Sequence, residues 1–135
     1  MTDRRLRILI CEDDERLATL VLETLNADGR FDVVAHATTG DEAIRLAEQH
    51  APDVVLMDIG MPGLDGIDAT RAIRARDAAQ HIVIYTGSGE YADVGRADEA
   101  GATGFLHKDA LTSPDLPDAI QVLHANYVSG RTDPD

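Results

Sequence analysis

The segment "DVVLMDIGMPGLDG", residues 53–66, changes character at one position. Up to Met57 it is apolar and rich in β-branched side chains, without the alternation of a half-exposed strand. Such a run suits a strand covered on both faces. From Gly60 to Gly66 three glycines and Pro62 mark a turn. Asp58 stands at the junction, so the strand delivers a carboxylate to the edge of a sheet. After Asp65 a helical pattern begins, with Ala69, Ala72 and Ile73 facing inward and Arg71, Arg74 and Arg76 expected in solvent.

The same strand-then-helix unit recurs on both sides of this segment. Strand patterns fall at 7–11 ("RILIC"), 32–37 ("DVVAHA"), 53–57, 82–85 ("IVIY") and 103–107 ("TGFLH"). The first helical pattern sets Leu17, Leu20, Val21, Thr24 and Leu25 on one face and stops at Asp28-Gly29. The second opens with Thr39 and Glu42 at capping-box spacing and buries Ala43, Ile44 and Ala47. The fourth, at 90–100, contains Gly95, which costs about 1 kcal/mol relative to alanine and makes this the softest helix. The last runs from Pro117 to Tyr127 and is expected to end before Gly130, leaving "RTDPD" as a frayed polar tail. Strict alternation of this kind predicts a five-stranded, doubly wound parallel α/β sheet with five helices on its two faces. In such sheets the ligand crevice lies outside the carboxyl ends of the strands.

With 135 residues, 44% of them hydrophobic, the chain suits one domain around one core. The expected organisation is a folded domain over 6–128 and a polar tail over 129–135. Twelve basic residues against 25 acidic ones give a formal charge of -13, which opposes direct binding to nucleic acid or to an anionic membrane. A lone cysteine, Cys11, lies within a strand pattern and reads as a buried thiol. The five histidines, His36, His50, His81, His107 and His124, show no paired zinc-ligand spacing. Neither a secretory segment nor a membrane span is visible, so the expected location is cytoplasmic.

The strand ends carry the chemistry. Glu12, Asp13 and Asp14 follow the first strand, Asp58 the third, Thr86 the fourth and Lys108 the fifth. Carboxylates brought together repel unless neutralised. Oxygen-only ligands on an open edge favour a hard divalent ion, and magnesium suits them because it shares its shell with water and phosphate. Metal, ammonium and hydroxyl together describe a phosphoryl site, with Asp58 as the acceptor that forms an acyl phosphate.

In these motifs, "ILICEDDE", "MDIGMPGLDG", "YTG" and "GATGFLHKD", the chain resembles the receiver domains of two-component response regulators, from Leu6 to Tyr127. The resemblance implies a flavodoxin-like sheet in the order 2-1-3-4-5. It implies phosphorylation of Asp58 by a sensor histidine kinase or a histidine phosphotransfer protein, without other enzymatic activity. Magnesium would be held by Asp13, Asp58 and the carbonyl of Gly60, with Glu12 acting mainly through water. Asp14 falls one place beyond the acidic pair and could instead cap the first helix. Thr86 would bond the phosphoryl group, Lys108 would pair with it, and Phe105 would stand as the switch aromatic. The output surface would be the fourth helix, fifth strand and fifth helix, used for a homodimer or a partner protein.

The chain departs from the family pattern where Asp109, and not proline, follows Lys108. A cis bond there would cost roughly 3 kcal/mol, so a different loop geometry is expected. The Lys-Asp pair resembles receivers that precede LuxR-type DNA-binding domains, which makes the receiver part of a longer regulator one alternative. Another is an interaction module that works without phosphorylation. An aspartyl-phosphate phosphohydrolase would need an acid two residues after Asp58, where Gly60 stands. A flavin mononucleotide carrier would need a Ser/Thr/Gly-rich first loop, where "CEDDER" would repel phosphate. Gly60 and Ser88, each two residues past a site residue, are small, which predicts relatively easy water access and an unexceptional or short acyl-phosphate lifetime.

Overall fold

The apolar runs form strands β1 (Leu6–Cys11), β2 (Phe31–Ala37), β3 (Val54–Asp58), β4 (His81–Thr86) and β5 (Gly104–His107) of one parallel sheet. Its order is β2-β1-β3-β4-β5. The connecting helices are α1 (Glu15–Asp28), α2 (Gly40–His50), α3 (Gly66–Arg76), α4 (Tyr91–Ala100) and α5 (Leu116–Thr132), with a 3-10 turn at Lys108–Thr112. The computed structural model describes residues 5–87 and 91–132.

Period-two alternation divides the central strands between two cores. Leu9, Cys11, Val55, Met57, Ile82 and Ile84 pack with Ala43 and Ala47 of α2, Ile67, Ala69 and Ile73 of α3, and Ala97 of α4. Ile8, Ile10, Val54, Leu56, Val83 and Tyr85 pack with Ala18, Val21 and Leu25 of α1 and Ile120 of α5. β3 and β4 are buried throughout, as their unbroken apolar runs require. In β2, at the edge, Ile8 pairs with Val33 but Leu9 with Ala35, so Val34 is an additional residue. This bulge reverses the strand: Phe31 and Val33 face the α1/α5 core, whereas Ala35 and Ala37 face the other.

The helix ends follow local chemistry. Asp14 caps α1, its Oδ1 accepting from Arg16 N at 3.0 Å and Leu17 N at 3.3 Å, and Gly29 closes the helix at φ 87°. Thr39 caps α2, but the Glu42 carboxylate accepts from Thr38 N at 2.8 Å, one residue upstream of the reciprocal capping box. Asp65 caps α3 through Asp68 N at 2.9 Å.

Three expectations are corrected. Leu20 is 43% exposed, because Ala18 lies nearer the centre of the buried stripe and turns Leu20 to solvent. Arg74 is half-buried, not free in solvent: its guanidinium donates to the carbonyls of Asp77, Ala78, Gln80 and Gly101, tying the end of α3 to the end of α4. Helix α5 continues through Gly130 to Thr132, because this exposed glycine keeps a negative φ and supplies no left-handed stop. Only residues 133–135 of the expected tail lie outside the described residues.

Candidate functional site

The parallel registers pair Cys11 with Met57, Asp58 with Tyr85 and Thr86 with His107. Glu12, Asp58, Thr86 and Lys108 therefore arrive at one edge of the sheet. One carboxylate oxygen each from Glu12, Asp13 and Asp58 lie within 4.8 Å of one another. Among the described residues, this is the one group of three or more His, Cys, Asp or Glu side chains placed to share a cation. Since Asp14 is engaged as the α1 cap, the acids that meet Asp58 are Glu12 and Asp13.

Glu12 is 1% exposed. Its Oε1 accepts from the Tyr85 hydroxyl at 2.8 Å and its Oε2 from Asp14 N at 2.9 Å. Its own backbone is pinned by β2, through Glu12 N to Ala37 O at 2.9 Å and His36 Nε2 to Glu12 O at 2.7 Å. Burial raises the Glu12 pKa above the ordinary carboxylate range, and the charge of Asp58 adds to this. The bonds from Asp14 and Tyr85 and the charge of Lys108 oppose the rise. Asp13 is exposed, and Asp58 is 6% exposed with Oδ1 accepting from Gly60 N at 3.1 Å.

The turn after Asp58 explains its glycines. A methyl group on Gly66 would lie 2.2 Å from the Asp58 carbonyl oxygen, so only glycine lets α3 begin against the backbone of this strand end. Gly63 adopts φ 72°. Gly60 is different: a methyl group there would meet only Asp58 Oδ1, at 3.9 Å.

Thr86 is buried at the end of β4 and lines an apolar cavity of about 180 Å³ with Ile59, Ile84, Val94 and Phe105. Phe105 is half-buried and packs on the core shared with α2 and α3. The Lys108 side chain runs over Gly87, its Cδ 3.6 Å from where a methyl group on that glycine would stand. After Lys108 the chain closes as the 3-10 turn, capped by His107 Nδ1, which accepts from Asp109 N at 3.1 Å. No cis peptide bond occurs among the described residues. Ser88 lies outside the described residues.

The donor set fits a hard divalent ion: all side-chain ligands are carboxylates, two are buried, and burial alone would drive one toward protonation. Cys11 is not a contributor, since burial pushes its thiol far up. Two residues that sequence reasoning passed over hold the acidic edge from behind, Tyr85 and His36. Tyr85 left a signal, a phenol within an aliphatic run whose hydroxyl needs a partner when buried.

A parallel 2-1-3-4-5 sheet with acids meeting at its carboxyl edge is the arrangement expected of the receiver class that the strand-end motifs resemble. The response regulator receiver domain model matches residues 8–121, and the chain belongs to this family. It is 36% identical over 114 residues to the chemotaxis protein CheY of Halobacterium salinarum, covering 84% of this chain and 92% of that one. It is 40% identical over 121 residues to the transcriptional regulatory protein PdtaR of Mycobacterium tuberculosis, covering 90% of this chain and 58% of that one. The chain thus spans little more than half of PdtaR. Among solved structures, the signal receiver domain of the response regulator NarL from Mycobacterium tuberculosis superposes with a TM-score of 0.84 at 29% identity. That likeness covers 90% of this chain and 98% of the other. Receiver domains of this family are, in general, signalling modules rather than enzymes. Among the described residues, no helix is long and apolar enough to cross a membrane.

Proposed function

We propose that this receiver accepts a phosphoryl group on Asp58 from a histidine kinase or a histidine phosphotransfer protein. The observation that carries the reading is the meeting of Glu12, Asp13 and Asp58 within 4.8 Å at the sheet edge that also receives Thr86 and Lys108. In the transfer, an Asp58 carboxylate oxygen attacks phosphorus, the phosphorus–nitrogen bond to the donor histidine breaks, and water later hydrolyses the acyl phosphate. Asp13, Asp58 and the Gly60 carbonyl would hold magnesium, with Glu12 acting through water. When bound, the ion supplies positive charge against the phosphoryl oxygens. Lys108 adds an ammonium and Thr86 a hydroxyl on the same oxygens.

The switch follows from the cavity beside Thr86. Movement of the Thr86 hydroxyl toward a phosphoryl group vacates space that Phe105 can enter, and α4, weakened by Gly95, shifts with it. The output surface is α4, β5 and α5, acting through a homodimer or a partner protein in the cytoplasm, with no direct contact to nucleic acid. The longer relatives, exemplified by PdtaR, support a second reading in which the same receiver serves a longer transcription regulator.

Incubation with a small phosphodonor, with and without magnesium, tests the assignment by intact mass spectrometry. A single phosphoryl adduct is expected only with magnesium and only while Asp58 is present. An adduct that forms without the ion, or persists in Asp58→Ala, overturns the reading.

A further inference from the structure

Tyr85 is 1% exposed, and its hydroxyl lies between two acceptors, Glu12 Oε1 at 2.8 Å and the Cys11 carbonyl at 3.2 Å. A phenol carries one proton, and the nearer acceptor is a carboxylate, so the proton goes to Glu12 as a charge-assisted bond. Asp14 N holds the other carboxylate oxygen at 2.9 Å. Both oxygens of Glu12 are thereby fixed from the protein side, each keeping lone pairs for the acidic edge.

We infer that Tyr85 is a positioning residue: its hydroxyl sets the Glu12 carboxylate toward the cation shared with Asp13 and Asp58. The inference rests on the reading of this edge as a magnesium site. Its physical basis is that a buried carboxylate is tolerated only when bonded. Without the phenol, Oε1 would be a buried acceptor with no partner on the protein side. Glu12 would then turn away from the edge to find another partner, which takes its carboxylate out of the ion's surroundings. Neither Tyr85 nor its hydroxyl needs to touch the ion or the acceptor for this effect.

The test is a magnesium titration of the full chain, followed by calorimetry and by the 13Cζ resonance of labelled tyrosine. The Tyr85 resonance is identified by elimination, using Tyr91→Phe and Tyr127→Phe. The wild-type protein is expected to bind magnesium with the Tyr85 resonance moving along the titration. Tyr85→Phe is expected to bind about tenfold more weakly, the loss of one charge-assisted hydrogen bond. In a Glu12→Gln background, adding Tyr85→Phe should cost little more, since the two residues act through one bond.

The outcomes separate the two ideas. No magnesium binding by the wild-type protein overturns the site itself. Binding by wild type and Tyr85→Phe with equal affinity overturns the role of Tyr85 alone, as does an equal loss in the Glu12→Gln background. If Tyr85→Phe does not fold, the Glu12→Gln protein decides: an unmoved Tyr85 resonance relative to wild type means the bond is absent.

Discussion

Nδ1 of His81 in β4 lies 3.0 Å from Nδ1 of His124 in α5, so one of these nitrogens carries the hydrogen and the other accepts it. The arrangement cannot hold two charged rings. His81 is also stacked on Tyr127, with centroids 4.4 Å apart and planes within 8°. Burial pushes the His81 pKa down to about 4, with His124 and Arg74 adding to the fall. Burial also lowers His124, against the opposing charge of Asp53. Below the ordinary histidine range the unfolded chain takes up protons that the folded chain refuses until about pH 4 for His81. This part of the stability is therefore complete above about pH 6.5 and is lost as pH falls toward 4. Melting curves should show Tm dropping by about 5 °C between pH 7 and pH 5. His81→Phe, which keeps the stacking, should make that slope shallower; an unchanged slope would assign the loss to other groups.

Gly66 and Gly95 should respond in opposite directions to the same substitution. Gly66→Ala places a methyl group 2.2 Å from the Asp58 carbonyl oxygen, and the backbone must shift. A loss of about 3 kcal/mol in urea unfolding is expected. Gly95→Ala meets nothing within 4 Å on an exposed helix position and should gain up to about 1 kcal/mol.

Room beside Gly60 bears on the lifetime of an acyl phosphate. Gly60 is exposed, and its φ is not in the left-handed region, so a side chain fits without strain. Gly60→Met should leave stability within about 0.5 kcal/mol and slow the loss of phosphate from Asp58 severalfold, by shielding phosphorus from water. Timed mass spectra of the phosphorylated protein measure this, and equal decay rates would remove the argument from water access.

Arg74 gathers four carbonyls from two helix ends, which a lysine cannot copy with one ammonium. Arg74→Lys should cost about 1–2 kcal/mol. The loss should be local as well as global, with faster amide exchange at Gly101 and Ala102, where α4 gives way to β5.

The sheet was legible because buried parallel strands are written as continuous apolar runs, and "DVVLM" could not be anything half-exposed. The gathering of Glu12, Asp13 and Asp58 was legible because strand ends share one edge in this topology. What stayed hidden depended on partners distant in sequence. Nothing near Arg74 announces that the Gly101 carbonyl, 27 residues away, will accept from it. The Tyr85 bond to Glu12 spans 73 residues and appears only when β1 and β4 flank β3. Leu20 misled because helical spacing alone cannot say where the centre of a buried stripe falls. Gly130 misled because glycine permits a helix to stop but does not compel it.

Val34 makes the edge strand serve two masters. A sheet strand ordinarily reports to one core through its odd residues and to the other through its even ones, along its whole length. Here the odd positions change allegiance halfway, from Phe31 and Val33 on one side to Ala35 and Ala37 on the other. Pairing Val34 with Leu9 in regular register, instead of leaving it out of the ladder, would exchange inside for outside in the second half of β2. The half exchanged is the one that brings His36 and Ala37 to the backbone of Glu12. The geometry of the acidic edge thus rests on one residue left out of the ladder, in a strand that contributes no acid to it.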